Sequence, residues 1–133
     1  MQKSILCALI LLLSAIQARA TTEESASTSS AYVSLGDPMV LNLSGTSRLT
    51  FLQISADVLS SDSDAEETIK LHVPAIRHSL IMPLSEQKAS AIKSPEKREE
   101  IRQQATAQVQ SLIADLSGNN DISDILFSSI LVQ

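Results

Sequence analysis

The stretch from Arg48 to Leu59 alternates between apolar and polar side chains, and this alternation constrains the fold more than any other feature of the chain. Because successive residues of a β-strand point to opposite faces, the pattern predicts a strand with one buried face and one solvated face. Such a strand needs partners in a sheet and an apolar layer on its buried side. The residues predicted to face that layer are Leu52, Ile54, Ala56 and Val58.

Three further segments are candidate strands of the same sheet. Tyr32–Leu35 and Met39–Leu43 precede the alternating stretch and are separated by a turn at residues 36–38. The loop at residues 44–47 contains a glycine, and a short loop of this kind predicts antiparallel pairing of the strands that it joins. Ile122–Gln133 is largely apolar and closes the sequence. We expect this last segment to pair into the sheet as well.

A long amphipathic helix is predicted between Ser94 and Gly118. Ser94 is a preferred N-cap residue, Pro95 suits the first helical position, and Gly118 suits the position after the last turn. Apolar side chains recur at helical spacing over about six turns, and the charged residues of the opposite face are interpreted as solvated. The apolar stripe consists of Ile101, Ala105, Val109, Leu112, Ile113 and Leu116. The solvated face consists of Lys97, Arg98, Glu99, Glu100, Arg102, Gln103 and Gln110.

A shorter helix is predicted to start at residues 60–64 and to include Ala65 and Ile69. Pro74 is expected to bend or stop this helix, because proline lacks the backbone N–H and clashes with the preceding turn. Residues 75–84 fit either a further helical turn or a short strand. The order of elements therefore predicts an α+β domain, a mostly antiparallel sheet with one long amphipathic helix packed on one face.

Residues 1–20 have the three-part layout of a secretory signal peptide. Lys3 precedes an uncharged run from Ser4 to Ile16, and the small residues around Arg19 supply a cleavage site after Ala20. An uncleaved membrane anchor is the alternative. The apolar run, even when extended to residue 18, has 15 residues, whereas a membrane span takes about 20.

Cleavage after Ala20 would leave 113 of the 133 residues, which is enough for one domain. Residues 21–31 are small and polar, and this composition predicts a flexible linker. Residues 32–133 form the predicted domain. Because the chain's one cysteine, Cys7, lies in the signal, the exported domain must be stabilised by packing and hydrogen bonds rather than by disulfides.

The exported part is acidic. The whole chain has 10 basic and 15 acidic residues, and the loss of Lys3 and Arg19 would lower the basic count to 8 and the net charge to −7. Binding to phosphate groups or to anionic lipid needs a basic face. We therefore expect neither a nucleic acid nor an anionic membrane surface as a partner.

The motifs of common catalytic and cofactor sites are missing from the sequence. His72 and His78 lie six residues apart, whereas a zinc pair on one helix needs a spacing of four. The acidic stretch at residues 62–67 lacks the glycine of a calcium loop. There is no G-x-S-x-G motif and no glycine-rich phosphate loop. The sequence therefore predicts a non-enzymatic binding or assembly module without cofactor or metal, and stoichiometric zinc in the purified protein would favour a hydrolase or metal enzyme instead.

The order of several segments resembles the FliL family, the flagellar basal-body-associated proteins. Residues 37–43 resemble the strand that opens the FliL domain, and residues 48–54 resemble the strand that follows. Residues 72–77 resemble a proline-containing segment of the family, and residues 94–102 resemble the start of its long helix. The ending at residues 125–133 is similar to the family's last strand, including the terminal glutamine. The resemblance covers residues 32–133.

The resemblance implies an SPFH/stomatin-like fold, a periplasmic location, ring-forming homo-oligomers and association with the stator units of the flagellar motor. His78 replaces the usual Asp, Ile130 replaces an aromatic residue, and the family's cytoplasmic tip and full membrane span have no counterpart in residues 1–31. The positions matched to family motifs, implied to be structural or interaction residues, are Asp37, Pro38, Asn42, Leu43, Pro74, Arg77, Phe127 and Gln133.

The sequence thus leads to two related hypotheses. The first is a non-catalytic periplasmic protein that packs around stator or basal-body components and supports motility. If the N-terminal segment is not cleaved, it would hold this protein at the inner membrane. The alternative is a soluble periplasmic adaptor or scaffold of the same fold that has no flagellar role, which the lack of a full membrane span in residues 1–20 favours.

Overall fold

The computed structural model describes residues 30–45, 48–119 and 121–133. The predicted signal peptide and all but the last two residues of the predicted linker lie outside these ranges. Four strands, β1 (Tyr32–Ser34), β2 (Met39–Asn42), β3 (Phe51–Ser60) and β4 (Ile122–Val132), form one sheet. Three helices, α1 (Ser63–Ser85), α2 (Ala89–Lys93) and α3 (Pro95–Ser117), lie between β3 and β4 in the chain.

The central strand of the described sheet is β3, which pairs antiparallel with each of the other three strands. Its first half pairs with β2 and its second half with β1, so these two short strands share one edge of β3. The long strand β4 runs along the whole of the other edge. The predicted antiparallel pairing and the position of the last segment in the sheet are thereby confirmed.

One face of the sheet is buried against the helices. Along β3 the side chains of Leu52, Ile54, Ala56 and Val58 are almost inaccessible to solvent, and the intervening residues are half-buried. The strict alternation in the sequence therefore predicted the buried face correctly. The other face remains partly open in the described residues, and it carries the exposed side chains of Tyr32, Val40 and Leu131.

Both ends of α3 lie where the sequence predicts them. The Ser94 hydroxyl accepts a hydrogen bond from the Lys97 backbone N–H at 3.4 Å, and Gly118 adopts φ +80°, a conformation that favours glycine. Ile101, Ala105, Val109 and Ile113 form the buried stripe. Leu116, in contrast, is about half exposed, so the predicted stripe ends one turn early.

The helix does not stop at Pro74, and of the two alternatives for residues 75–84 the structure has the helical one rather than the strand. The helix α1 continues through Pro74 and Pro83 and has 23 residues, the same length as α3. The fold therefore has two long helices rather than one. The reason is tertiary packing: Ile76, Leu80 and Leu84 continue the buried stripe that begins at Ala65 and Ile69, and this burial offsets the cost of proline, about 3 kcal/mol in a helix interior.

A side chain of α3 compensates for one of the two prolines. Pro83 has no N–H to donate to the carbonyl of Ser79, one turn earlier. The Gln108 side-chain amide donates to that carbonyl at 2.9 Å instead. At its N-terminus, α1 is capped by the Asp62 carboxylate, which accepts from the Ala65 N–H at 2.9 Å.

The continuation of α1 can be tested with two substitutions. In a strand, Leu80 and Met82 would share a face, whereas in α1 Leu80 is fully buried and Met82 is 60% exposed. We expect Leu80→Ala to lower the free energy of unfolding by about 3 kcal/mol and Met82→Ala to lower it by less than about 1 kcal/mol. Urea denaturation measures both values, and similar losses for the two variants would contradict the helix.

Candidate functional site

Arg77 and the turn between β1 and β2 form the first of two groups of family-motif residues. The Arg77 guanidinium donates to the backbone carbonyls of Leu35 at 2.7 Å and Asp37 at 2.6 Å. The turn passes through Gly36 at φ +86°, which places this residue in the region that favours glycine. Pro38 then leads into β2. Arg77 thus fastens the turn that contains Asp37 and Pro38 to the middle of α1.

The second group lies in one row across the sheet. Asn42 of β2 is opposite Phe51 of β3. On the other side, the N–H of Phe51 donates to the carbonyl of Gln133 at 2.7 Å, and the N–H of Gln133 donates back at 3.0 Å. The terminal glutamine is therefore held by its backbone in the sheet, and its partner Phe51 separates it from Asn42.

The remaining family-motif residues are dispersed. Leu43 is buried, and its N–H donates to the Thr50 carbonyl at 2.9 Å, which closes the β2–β3 loop. Pro74 is exposed on the outer face of α1. Phe127 is half-buried and packs against the core from β4. These positions do not converge on one cleft, and their individual roles stay predictions.

A polar network that the sequence pattern did not predict joins α3 to β4. Arg102 was expected on the solvated face of the helix, but its side chain is only 23% exposed and forms ion pairs with Glu99 of its own helix and with Asp124 of β4. The Thr106 hydroxyl donates to the same Asp124 oxygen at 2.9 Å. Asp124 is the one charged residue among residues 122–133, and its position there is the one signal in the sequence that could have indicated this network.

The ion pair between Arg102 and Glu99 shifts the pKa values of both groups. The hydrogen bond from Arg102, with a smaller effect of Gln103, lowers the pKa of the Glu99 carboxyl from 4.5 to about 2. The same hydrogen bond with Glu99, together with the charge of Asp124, raises the pKa of Arg102. Because the pKa of Glu99 is lower in the folded state than in the unfolded state, Glu99 contributes stability above pH 4.5, and this contribution is lost progressively as the pH falls from 4.5 to about 2.

Side chains of α3 cover the outer edge of β4 along its first half. The N–H of Ile125 donates to the Thr106 hydroxyl at 3.1 Å, and its carbonyl accepts from Arg102 at 3.4 Å. The Gln110 amide donates to the carbonyl of Ile122 at 3.0 Å. These three helix residues satisfy backbone groups that an edge strand would otherwise leave open.

A cleft of about 210 Å³ opens where this coverage ends. One wall is the first two turns of α3, and the other is the middle of β4. The lining residues are Pro95, Arg98, Glu99 and Arg102 from α3 with Leu126, Phe127 and Ile130 from β4. The cleft combines an apolar strand wall with guanidinium groups.

The described residues contain no cluster of three His, Cys, Asp or Glu side chains that could hold a metal ion. His72 is half-buried and His78 is exposed, both on α1. No helix in the described part of the chain is long and apolar enough to cross a membrane. The absence of a cofactor and of enzymatic activity stays a prediction.

A protein-family model described as flagellar basal body-associated protein FliL matches residues 32–133. The chain belongs to the FliL family. The resemblance that the sequence motifs predicted is thereby confirmed, and the match covers every described strand and helix. No curated protein is significantly similar to the chain. Membership of the FliL family associates the domain with the flagellar basal body in general terms.

Arg77 is the family-motif residue whose contacts allow the clearest test. Replacement by methionine keeps much of the side-chain bulk but removes both donors to the turn. We expect Arg77→Met to lower the free energy of unfolding by about 2 kcal/mol, because hydrogen bonds from charged groups contribute about 1.5–3 kcal/mol. The matched control is Lys70→Met on the same helix, where an exposed pair with Glu66 predicts a loss below about 0.5 kcal/mol. Equal stability of the two variants in urea denaturation would show that the turn does not depend on Arg77.

Proposed function

We propose that this FliL-family chain is a non-catalytic periplasmic protein that associates with stator units of the flagellar motor and supports flagellum-dependent motility. The observation that carries the proposal is the family match over the whole of residues 32–133. The matched domain has exposed apolar side chains on its open sheet face and a cleft beside β4, as a binding module requires. Homo-oligomerisation into a ring and an SPFH/stomatin-like relationship of the fold belong to the same proposal.

The proposed location depends on residues 1–20. Their short uncharged run and small-residue cleavage site support export, with Thr21 as the first residue of the mature chain. Edman sequencing of the protein purified from its host tests this point directly. Thr21 at the N-terminus identifies a released periplasmic domain, and Met1 identifies a chain anchored at the inner membrane.

A soluble periplasmic adaptor with no flagellar role is the second candidate. The observation that favours it is the same short run, because anchoring beside the motor would be lost after cleavage. Mild crosslinking followed by purification separates the two candidates. Stator proteins in the eluate favour the first, and other envelope proteins without stator components favour the second.

Deletion of the gene tests the motility role. We expect the deletion strain to form smaller swimming and swarming zones than the parent, most clearly in viscous medium, where motors work under the highest load. Complementation with the unchanged gene should restore the zones, and so should complementation with the Lys70→Met variant, which is expected to fold normally. A deletion strain that swims and swarms like its parent in viscous medium would contradict the proposal.

A further inference from the structure

Within the described residues, the outer edge of β4 is covered along its first half only. Phe51 and Gln133 exchange both backbone hydrogen bonds, and Leu52 and Ile54 are opposite Val132 and Ile130. Because hydrogen-bonded and non-hydrogen-bonded pairs alternate in an antiparallel ladder, the N–H and C=O groups of Ile130 and Val132 point away from β3. No side chain or backbone group of the described residues bonds to them, in contrast to Ile125.

This open half lacks the usual protection of an edge strand. The edge strands of natural sheets often carry proline, or charged residues such as lysine, which discourage pairing with a further strand. Residues 125–133 contain no charged residue and no proline. A register irregularity between Ser55 and Ala56 interrupts the ladder near Ser128, but the segment beyond it pairs regularly with β3 and leaves its outer side free.

We propose that the open edge of β4, together with the adjoining cleft, binds an extended segment of a partner protein that adds a strand to the sheet and places one carboxylate on Arg98. Strand addition supplies affinity through main-chain hydrogen bonds, and pockets beside the edge supply specificity through alternate side chains. In this arrangement Ile130 and Val132 provide the outward main-chain groups, and Phe127 provides part of the apolar wall of the cleft.

The size of the edge favours a linear segment over a second folded copy. Residues 127–132 span about 20 Å, and neighbouring strands lie about 5 Å apart, so pairing alone covers on the order of 100 Å² of the sheet plane. A stable interface between folded proteins buries about 800 Å² on each partner. The open edge is therefore long enough for about six residues of an extended chain but small for a dimer.

The charges around the cleft favour an acidic position in that segment. Arg102 is already ion-paired with Glu99 and Asp124. Arg98 donates only to the carbonyl of Ile92, at 3.4 Å, and forms no ion pair within the described residues. The neighbouring Glu96 carboxylate accepts from the Ser94 hydroxyl at 2.8 Å, and this hydrogen bond lowers the pKa of Glu96 more than the charge of Arg98 does. The guanidinium of Arg98 is thus half-buried in the cleft wall and can donate hydrogen bonds to a carboxylate of the partner.

This inference rests on the proposed role as a binding module but not on the identity of a flagellar partner. The probe is a blocked seven-residue peptide of alternating valine and threonine with a central glutamate, and a second peptide carries glutamine in its place. Titration calorimetry measures affinity for the protein purified from its host, and amide hydrogen exchange locates the peptide. These readouts do not depend on motility, so failure of one proposal is distinguishable from failure of the other.

We expect the glutamate peptide to bind and to slow amide exchange at Ile130 and Val132. Arg98→Gln should weaken that peptide about threefold and leave the glutamine peptide unchanged, because a partly exposed ion pair contributes only modestly to affinity. Lys97→Gln is the matched control, with the same charge change on the neighbouring, exposed residue, and should change neither affinity. Ile130→Pro, which removes an outward N–H that an edge strand can spare, should weaken both peptides about tenfold.

Several results would overturn the proposal. The first is the absence of binding at millimolar peptide concentration. The second is slowed amide exchange at the exposed α1 residues Leu71 and Met82 instead of β4, and the third is an equal effect of Arg98→Gln and Lys97→Gln on the affinity for the glutamate peptide. Slow exchange at Ile130 without any peptide, accompanied by a dimeric mass in solution, would show that a second copy occupies the edge. The unchanged protein should bind the glutamate peptide about threefold more tightly than the glutamine peptide, and equal affinities would overturn the contact with Arg98 without depending on the folding of any variant.

Discussion

The contact between α3 and the first half of β4 determines how the domain closes. Arg102, Thr106 and Gln110 bind the side chain of Asp124 and the outward backbone groups of β4. These bonds fix the helix along the sheet edge, while Val109 and Ile113 of the same helix bury the core. Because Arg102 is only 23% exposed and pairs with both Glu99 and Asp124, replacement of Arg102 would leave these two carboxylates without their shared cation, which costs more than the pairs themselves contribute.

The same contact separates the structural part of β4 from the part available for binding. The helix side chains reach Ile122 and Ile125 and no further, so the strand continues beyond them as an uncharged edge beside a cleft. The proposed binding role needs a stable scaffold and an accessible surface, and β4 contributes to both. The exposed face of the sheet and the outer face of α1 add apolar positions, but nothing in the described residues indicates what would cover them.

Local patterns in the sequence predicted most of the fold. The alternation at Leu52–Val58 predicted the central strand and its buried face, and Ser94 and Gly118 predicted the ends of α3, because these signals act within a few residues. The continuation of α1 through Pro74 was not predictable in this way, since it depends on packing of Ile76, Leu80 and Leu84 against the sheet. The ion pair between Arg102 and Asp124 joins residues that lie 22 positions apart, and pairing at that distance leaves no periodic trace.

The most direct test of this account is the hydrogen exchange of individual β4 amides in dilute solution, measured by NMR. Ile125 should be protected by Thr106, and Leu131 should be protected by the ladder with β3, whereas Ile130 and Val132 should exchange at rates close to those of an unfolded chain. We therefore expect one strand to divide into a protected part and a rapidly exchanging part. Protection of Ile130 and Val132 as strong as that of Leu131, in a monomeric protein without added peptide, would contradict it.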